Sequence, residues 1–99
     1  MRYMAVVTNN GMAAIYSETG KKVKVYNNKS GRAYVRLYYN GARHTHTLAH
    51  AWVCLANGYN LAECERLQVH HVDGNKYNDV PTNYAAMCGI IHAVVHKLV

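Results

Sequence analysis

Four of the chain's seven histidines fall between Gln68 and His96, in the stretch QVHHVDGNKYNDVPTNYAAMCGIIHAVVH. His92 and His96 are four apart. On a helix that spacing puts two imidazoles on one face, one turn apart, within reach of a single ion. The H-E-x-x-H zinc helices use the same separation for the same reason. Such a pair alone is more often an ordinary feature of a helix face than a metal site. His70 and His71 strengthen it. Neighbouring strand residues point to opposite sides, so one of them can turn toward the helix and supply a third nitrogen while the other faces away. The residues themselves leave open which one does so. Three protein nitrogens with a fourth position open are the arrangement of a catalytic metal. A further imidazole, neutral near pH 7, can act as general base.

These side chains need a frame. Residues 67–71 (LQVHH) suit a short strand, and 72–75 (VDGN) suit a turn in which Asp73 and Gly74 are turn formers rather than ligands. Residues 76–81 read as a loop or a short return strand. Thr82 or Asn83 can cap a helix reaching about Lys97, with Tyr84, Met87, Cys88, Ile91, Val94 and Val95 as its apolar positions.

The upstream half reads as strands and turns: a strand at 2–8, turns at 9–11, 17–22 and 27–32, and alternation at 22–27. The clearest local signal is YVRLYYNGARHTHT (34–47), where Asn40-Gly41 suits a two-residue type I′ hairpin. That register pairs Tyr38 with Arg43 and Arg36 with Thr45 on one face. Val35, Leu37, His44 and His46 lie on the other. Residues 47–57 then change to a helical period, with Thr47 as N-cap, Leu48, Trp52, Leu55 and Ala56 along one stripe, and Gly58 as the stop. Trp52 is expected in the core. His44 and His46 are expected to be core or hydrogen-bonded histidines.

The chain has 99 residues, 51% of them apolar, and suits one small folded domain of the kind often stapled by a metal. Its net charge of +6 is uneven. Residues 1–57 carry eight basic residues against one acid, and residues 58–99 carry three against four. A basic half favours phosphate-rich partners. Cys54, Cys64 and Cys88 are odd in number and lack a C-x-x-C, so free thiols in a reducing compartment are the expectation. The N-terminal apolar run is too short for a signal peptide, and no segment reaches the length of a membrane span. An intracellular protein is expected.

The stretch HHVDGNKYNDVPTNY followed by His92 resembles the HNH nuclease motif, the ββα-metal fold. Phage and intron-encoded members often read D-H-I-D-G-N-K-x-N-N-x-x-x-N-L, with a ligand nine residues after the last Asn. His70 falls at the Asp ligand, His71 at the general base, Asn83 at the central Asn, and His92 at the final position. The doubled histidine and His96 are also similar to colicin-type DNases. That likeness implies His70, His92 and His96 as metal ligands and His71 as base. GARHTHTLAHAWVCLA resembles the hairpin and helix that precede the motif in phage HNH proteins, and His50 matches a histidine frequent there. The motif covers about 30 residues and the looser likeness about 60; the first 30 match no family. The chain departs from the family at Tyr84, where Leu is usual, at Ala85 and Ala86, and at His70. A histidine in place of the Asp ligand favours Zn²⁺, Ni²⁺ or Mn²⁺ over Mg²⁺.

Together these readings give an α+β fold, with N-terminal antiparallel strands and a helix in residues 1–57 and, as the resemblance implies, a ββα-metal motif in 67–98. The activity the resemblance implies is metal-dependent hydrolysis of DNA phosphodiesters by a phage-derived HNH-type endonuclease or nickase. Its cofactor would be one divalent ion. Asn83 would hold the His71 loop. Arg36, Arg43, Tyr34 and Tyr38 are the candidates for tracking a DNA backbone, and Lys76 for a phosphate contact beside the site. Two other readings use the same residues. One is a noncatalytic nucleic-acid-binding module stapled by the metal. The other is a phage protein that inhibits a host enzyme through this scaffold.

Overall fold

The structure, a computed structural model, describes residues 2–64, residues 67–86 and the backbone of residues 87 and 88. Strands β1 (Tyr3–Val7) and β2 (Ala13–Ser17) form an antiparallel hairpin. Strands β3 (Val25–Asn27), β4 (Ala33–Tyr39) and β5 (Ala42–Thr47) form an antiparallel sheet in that order. Helix α1 (Leu48–Ala56) follows directly, then a 3-10 turn at Leu61–Glu63. Strands β6 (Leu67–His71) and β7 (Tyr84–Cys88) make the last antiparallel pair, joined by a long loop with a 3-10 turn at Pro81–Asn83. The described residues are thus a small α+β fold.

Side-chain alternation builds the middle sheet. Ala33, Val35 and Leu37 of β4 are buried, while Arg36 and Tyr38 on the opposite face are exposed. Period-2 patterning of this kind fixes which face meets the core. The β4–β5 turn is the expected one. Asn40 and Gly41 both have positive φ (51° and 73°), as a type I′ turn requires. Tyr38 lies opposite Arg43 and Arg36 opposite Thr45.

Helix α1 begins where Thr47 Oγ1 accepts a hydrogen bond from the His50 amide at 3.2 Å. It stops at Gly58, whose φ of 73° suits glycine. Its buried face (Leu48, Ala51, Cys54) packs with Ile15, Val35 and Leu37 into one core. Tyr3, Trp52, Leu67 and Tyr84 pack against that core from its rim, so the last hairpin is anchored to the same apolar centre. Trp52 Nε1 also donates to the Val6 carbonyl at 3.0 Å, tying α1 to β1.

The structure corrects the sequence reading in four places. Strand β2 is present where no strand was expected; its Ala-Ala-Ile start is short and gains its partner only by folding back on β1. The alternating segment 22–27 yields a strand only from Val25, with Lys22 joined to Tyr16 by an isolated bridge. Residues 84–88 are a strand rather than the first turns of a helix. Pairing with β6 satisfies their backbone, and Asn83 closes a 3-10 turn before them instead of capping an α-helix. The expected helix beyond 88, with His92 and His96, lies outside the described residues. Finally, Cys54 and Cys64 form a disulfide instead of staying as free thiols. The chain reversal at Gly58 brings the end of α1 beside residue 64, a proximity that spacing did not reveal. Among the described residues, no helix is long and apolar enough to cross a membrane.

Candidate active site

His70 and His71 end strand β6 and point to opposite faces of the β6–β7 pair. His71 shares its face with Tyr84, its cross-strand partner, and His70 shares the other with Ala85. His71 is 7% exposed, and its ring meets Tyr84 edge-on with centroids 5.5 Å apart. Its Nε2 is buried and has no hydrogen-bond partner among the described residues; Asp79 Oδ1 lies 3.8 Å away. Asp79 is buried too. Its carboxylate accepts the Tyr84 hydroxyl at 2.7 Å, and its carbonyl accepts the Ala13 amide at 2.9 Å. Burial and then the Asp79 carboxylate push the Tyr84 hydroxyl far above its ordinary pKa, so it remains a donor. The departure at position 84 thus has a polar use that a leucine would lack.

Asn83 clasps the loop behind His71. Its Oδ1 accepts the Asp73 amide at 3.0 Å, while its Nδ2 donates to Asp73 Oδ1 at 3.0 Å and to the Asn78 carbonyl at 3.2 Å. Its backbone carbonyl accepts the Val72 amide at 2.9 Å. The D-G-N run is used throughout. Gly74 turns at a φ of 76° and its amide returns to the His71 carbonyl at 2.8 Å. Asp73 Oδ1 accepts the Asn75 amide at 2.8 Å, and Asn75 Oδ1 accepts the Tyr77 amide at 3.0 Å. The Asn78 amide group donates to Asp73 Oδ2 at 2.8 Å. That bond first, then those from Asn75 and Asn83, hold the Asp73 carboxyl below its ordinary pKa. Lys76 is exposed, with its Nζ 5.5 Å from the Tyr77 ring centroid.

Of the three histidines expected to hold a metal, the described residues include His70 alone, half-buried on β6. His92 and His96 lie outside them. Among the described residues, no three His, Cys, Asp or Glu side chains gather closely enough to hold an ion. The three imidazoles expected from the sequence would suit a borderline ion such as zinc.

The basic face is a continuous surface. Tyr34, Arg36 and Tyr38 of β4 stand beside Arg43 and Thr45 of β5. Strand β3 extends this face with Tyr26, which sequence reasoning did not single out. Tyr26 pairs with Tyr34 across the strands. Two cations lie over its ring, with Arg36 Cζ 4.5 Å and Lys24 Nζ 4.9 Å from its centroid. The alternation of KVKVYN carries that signal once β3 is known to pair with β4. A groove of about 470 Å³ lined by Arg32, Tyr34, Thr45, Thr47, His50 and Gln68, among others, leads from this face to β6.

His44, His46 and His50 are stacked and hydrogen-bonded beside Tyr39. His44 stacks on Tyr39 at 3.9 Å, and Tyr39 Oη lies 2.7 Å from His46 Nε2. His46 stacks on His50 at 5.4 Å, and His50 Nε2 lies 2.9 Å from the Cys64 carbonyl. Burial first, then His50 and His44, hold the His46 pKa below the ordinary imidazole value.

No family model matches the chain, and no curated protein does. A solved structure of the HNH homing endonuclease I-HmuI, concerning DNA binding and cleavage by that protein, is similar, with 28% identity and a TM-score of 0.56. The match covers 98% of this chain but 58% of the endonuclease, so the chain spans little more than half of that protein's length.

Proposed function

We propose that this chain is a metal-dependent DNA endonuclease or nickase of the HNH type, with His71 as its general base. The observation that carries the reading is the hairpin itself. A histidine ends one strand, a hydrogen-bonded D-G-N loop follows, and Asn83 ties that loop down at the start of the next strand. The similarity to an HNH homing endonuclease over 98% of this chain supports it.

In this reading His71 takes a proton from the water that attacks phosphorus. The Asn83 clasp keeps the loop, and so the imidazole, from drifting between turnovers. His70, His92 and His96 would hold the ion, which when bound would stabilise charge on the phosphate and on the departing 3′ oxygen. Arg36, Arg43, Tyr34 and Tyr38 would hold the duplex backbone, and the groove from that face to Leu67, Gln68 and Val69 of β6 suits one of its strands. Lys76 stands exposed beside the loop, where a phosphate can reach it.

The test is a plasmid-nicking assay over a panel of divalent metals, comparing wild type with His71→Ala. The reading expects metal-dependent nicking that His71→Ala abolishes while metal and fold are retained. The burial of His71 favours one rival: a noncatalytic nucleic-acid-binding module in which that ring is a core residue. That rival expects no nicking with any metal, and a loss of stability on His71→Ala.

A further inference from the structure

We propose that Asp79 is the positioning residue for His71, held in place by the Tyr84 hydroxyl. The proposal rests on the nuclease reading, in which His71 is the base.

Two observations carry it. Among the described residues His71 Nε2 is buried without a hydrogen-bond partner, although buried polar atoms nearly always have one. The acid nearest to that atom among them, Asp79, is itself buried, and its Oδ1 faces Nε2 from 3.8 Å. That gap is too long for a hydrogen bond; in the working site the imidazole would turn toward the carboxylate to close it. Side chain and backbone of Asp79 are each held once. Tyr84 donates to Oδ1 at 2.7 Å, and the Ala13 amide donates to the Asp79 backbone carbonyl at 2.9 Å. Tyr84 lies opposite His71 in the strand register, so the residue that pins the acid also packs edge-on against the ring the acid would orient.

An ionised carboxylate only accepts hydrogen bonds. With Asp79 behind it, the imidazole keeps its proton on Nε2. Nδ1 is then the nitrogen with a lone pair, and it is the one that takes the proton from water. The tautomer of an imidazole is set in this way by the bond its second nitrogen makes. Asp79 touches neither substrate nor reacting atoms; it acts through His71. Tyr84 in turn acts through Asp79.

The experiment uses the full chain in two measurements. Nitrogen-15 NMR of the metal-free protein, above the imidazole titration range, reads the His71 tautomer in wild type, Asp79→Asn and Tyr84→Phe. Single-turnover cleavage and DNA affinity are measured on the same proteins with metal, beside His71→Ala. The Nε2–H tautomer is expected in wild type. In Asp79→Asn it shifts toward Nδ1–H, because an amide N–H can donate to Nε2. The cleavage rate should fall about 10–100-fold with DNA affinity unchanged, the usual cost of losing a group that orients a working side chain. Tyr84→Phe keeps the ring and loses the pin, so both readouts should move the same way by less. If Asp79→Asn does not fold, Tyr84→Phe decides. An unchanged tautomer and rate in whichever variants fold would overturn the proposal. If His71→Ala cleaves like wild type while Asp79→Asn still shifts the tautomer, the nuclease role of His71 fails and the contact stands.

Discussion

Truncating Asn83 to alanine tests the loop architecture most directly. The side chain makes three hydrogen bonds: one accepted from the Asp73 amide, and two donated, to Asp73 Oδ1 and the Asn78 carbonyl. Each contributes about 0.5–1.5 kcal/mol net, and leaving a buried partner unpaired costs more. Asp73 is exposed, so water replaces part of what it loses. The sum falls toward the lower half of the range, about 2 kcal/mol. For a domain of this size that is a drop in Tm of roughly 10 °C. Denaturant titration gives the free energy and hydrogen exchange gives the location. The Asp73 amide should lose protection. The Val72 amide, bonded to the Asn83 backbone carbonyl, should keep most of its own and so serves as the internal control. Asn83→Asp should be at least as damaging at neutral pH. It keeps the acceptor for the Asp73 amide but sets one carboxylate against another, and it should recover in acid. A loss under about 0.5 kcal/mol, with Asp73 still protected, would refute the clasp, because surface changes fall within that range.

Other outcomes follow from the same structure. Arg36→Ala and Arg43→Ala should each flatten the log–log salt dependence of DNA binding by about one unit, measured by fluorescence anisotropy. Reducing the Cys54–Cys64 disulfide, which closes a loop with a sequence separation of 10, should cost about 3 kcal/mol in a denaturant titration. The His46 pKa is depressed in the folded state, so the unfolded chain binds the extra proton. The stability from His46 is therefore complete above the ordinary value of 6.5 and is lost as pH falls through and below it. His46→Gln should make Tm less sensitive to pH across that window. The depressed carboxyl of Asp73 works in the same direction at lower pH. Its contribution is present above the ordinary value of 3.8 and lost in acid, and Asp73→Asn should remove that step from an acid-unfolding curve.

Local chemistry was legible where a short stretch carries its own geometry. Asn40-Gly41 specifies a turn, the alternation around it specifies two faces, and Thr47 and Gly58 bound a helix. The D-G-N run reads as a turn for the same reason, since its side chains bond within the loop. Tyr84–Cys88 was misread because its apolar spacing fits a helix as well as a strand. Only pairing with Leu67–His71 decides between them. Tyr26 was missed because its place on the basic face depends on β3 lying beside β4.

By itself the sequence determined the hairpin register, the bounds of α1, the uneven charge and the spacing of the histidines, because these depend on neighbours a few residues apart. The tertiary structure alone decided what surrounds His71. Asp79 and Tyr84 lie eight and thirteen positions further along the chain and meet the imidazole only because β7 folds back on β6. Cys54 finds Cys64 for a similar reason, once the chain reverses at Gly58. Burial of a polar atom, and the partner that burial calls for, are properties of packed surfaces that sequence spacing does not encode.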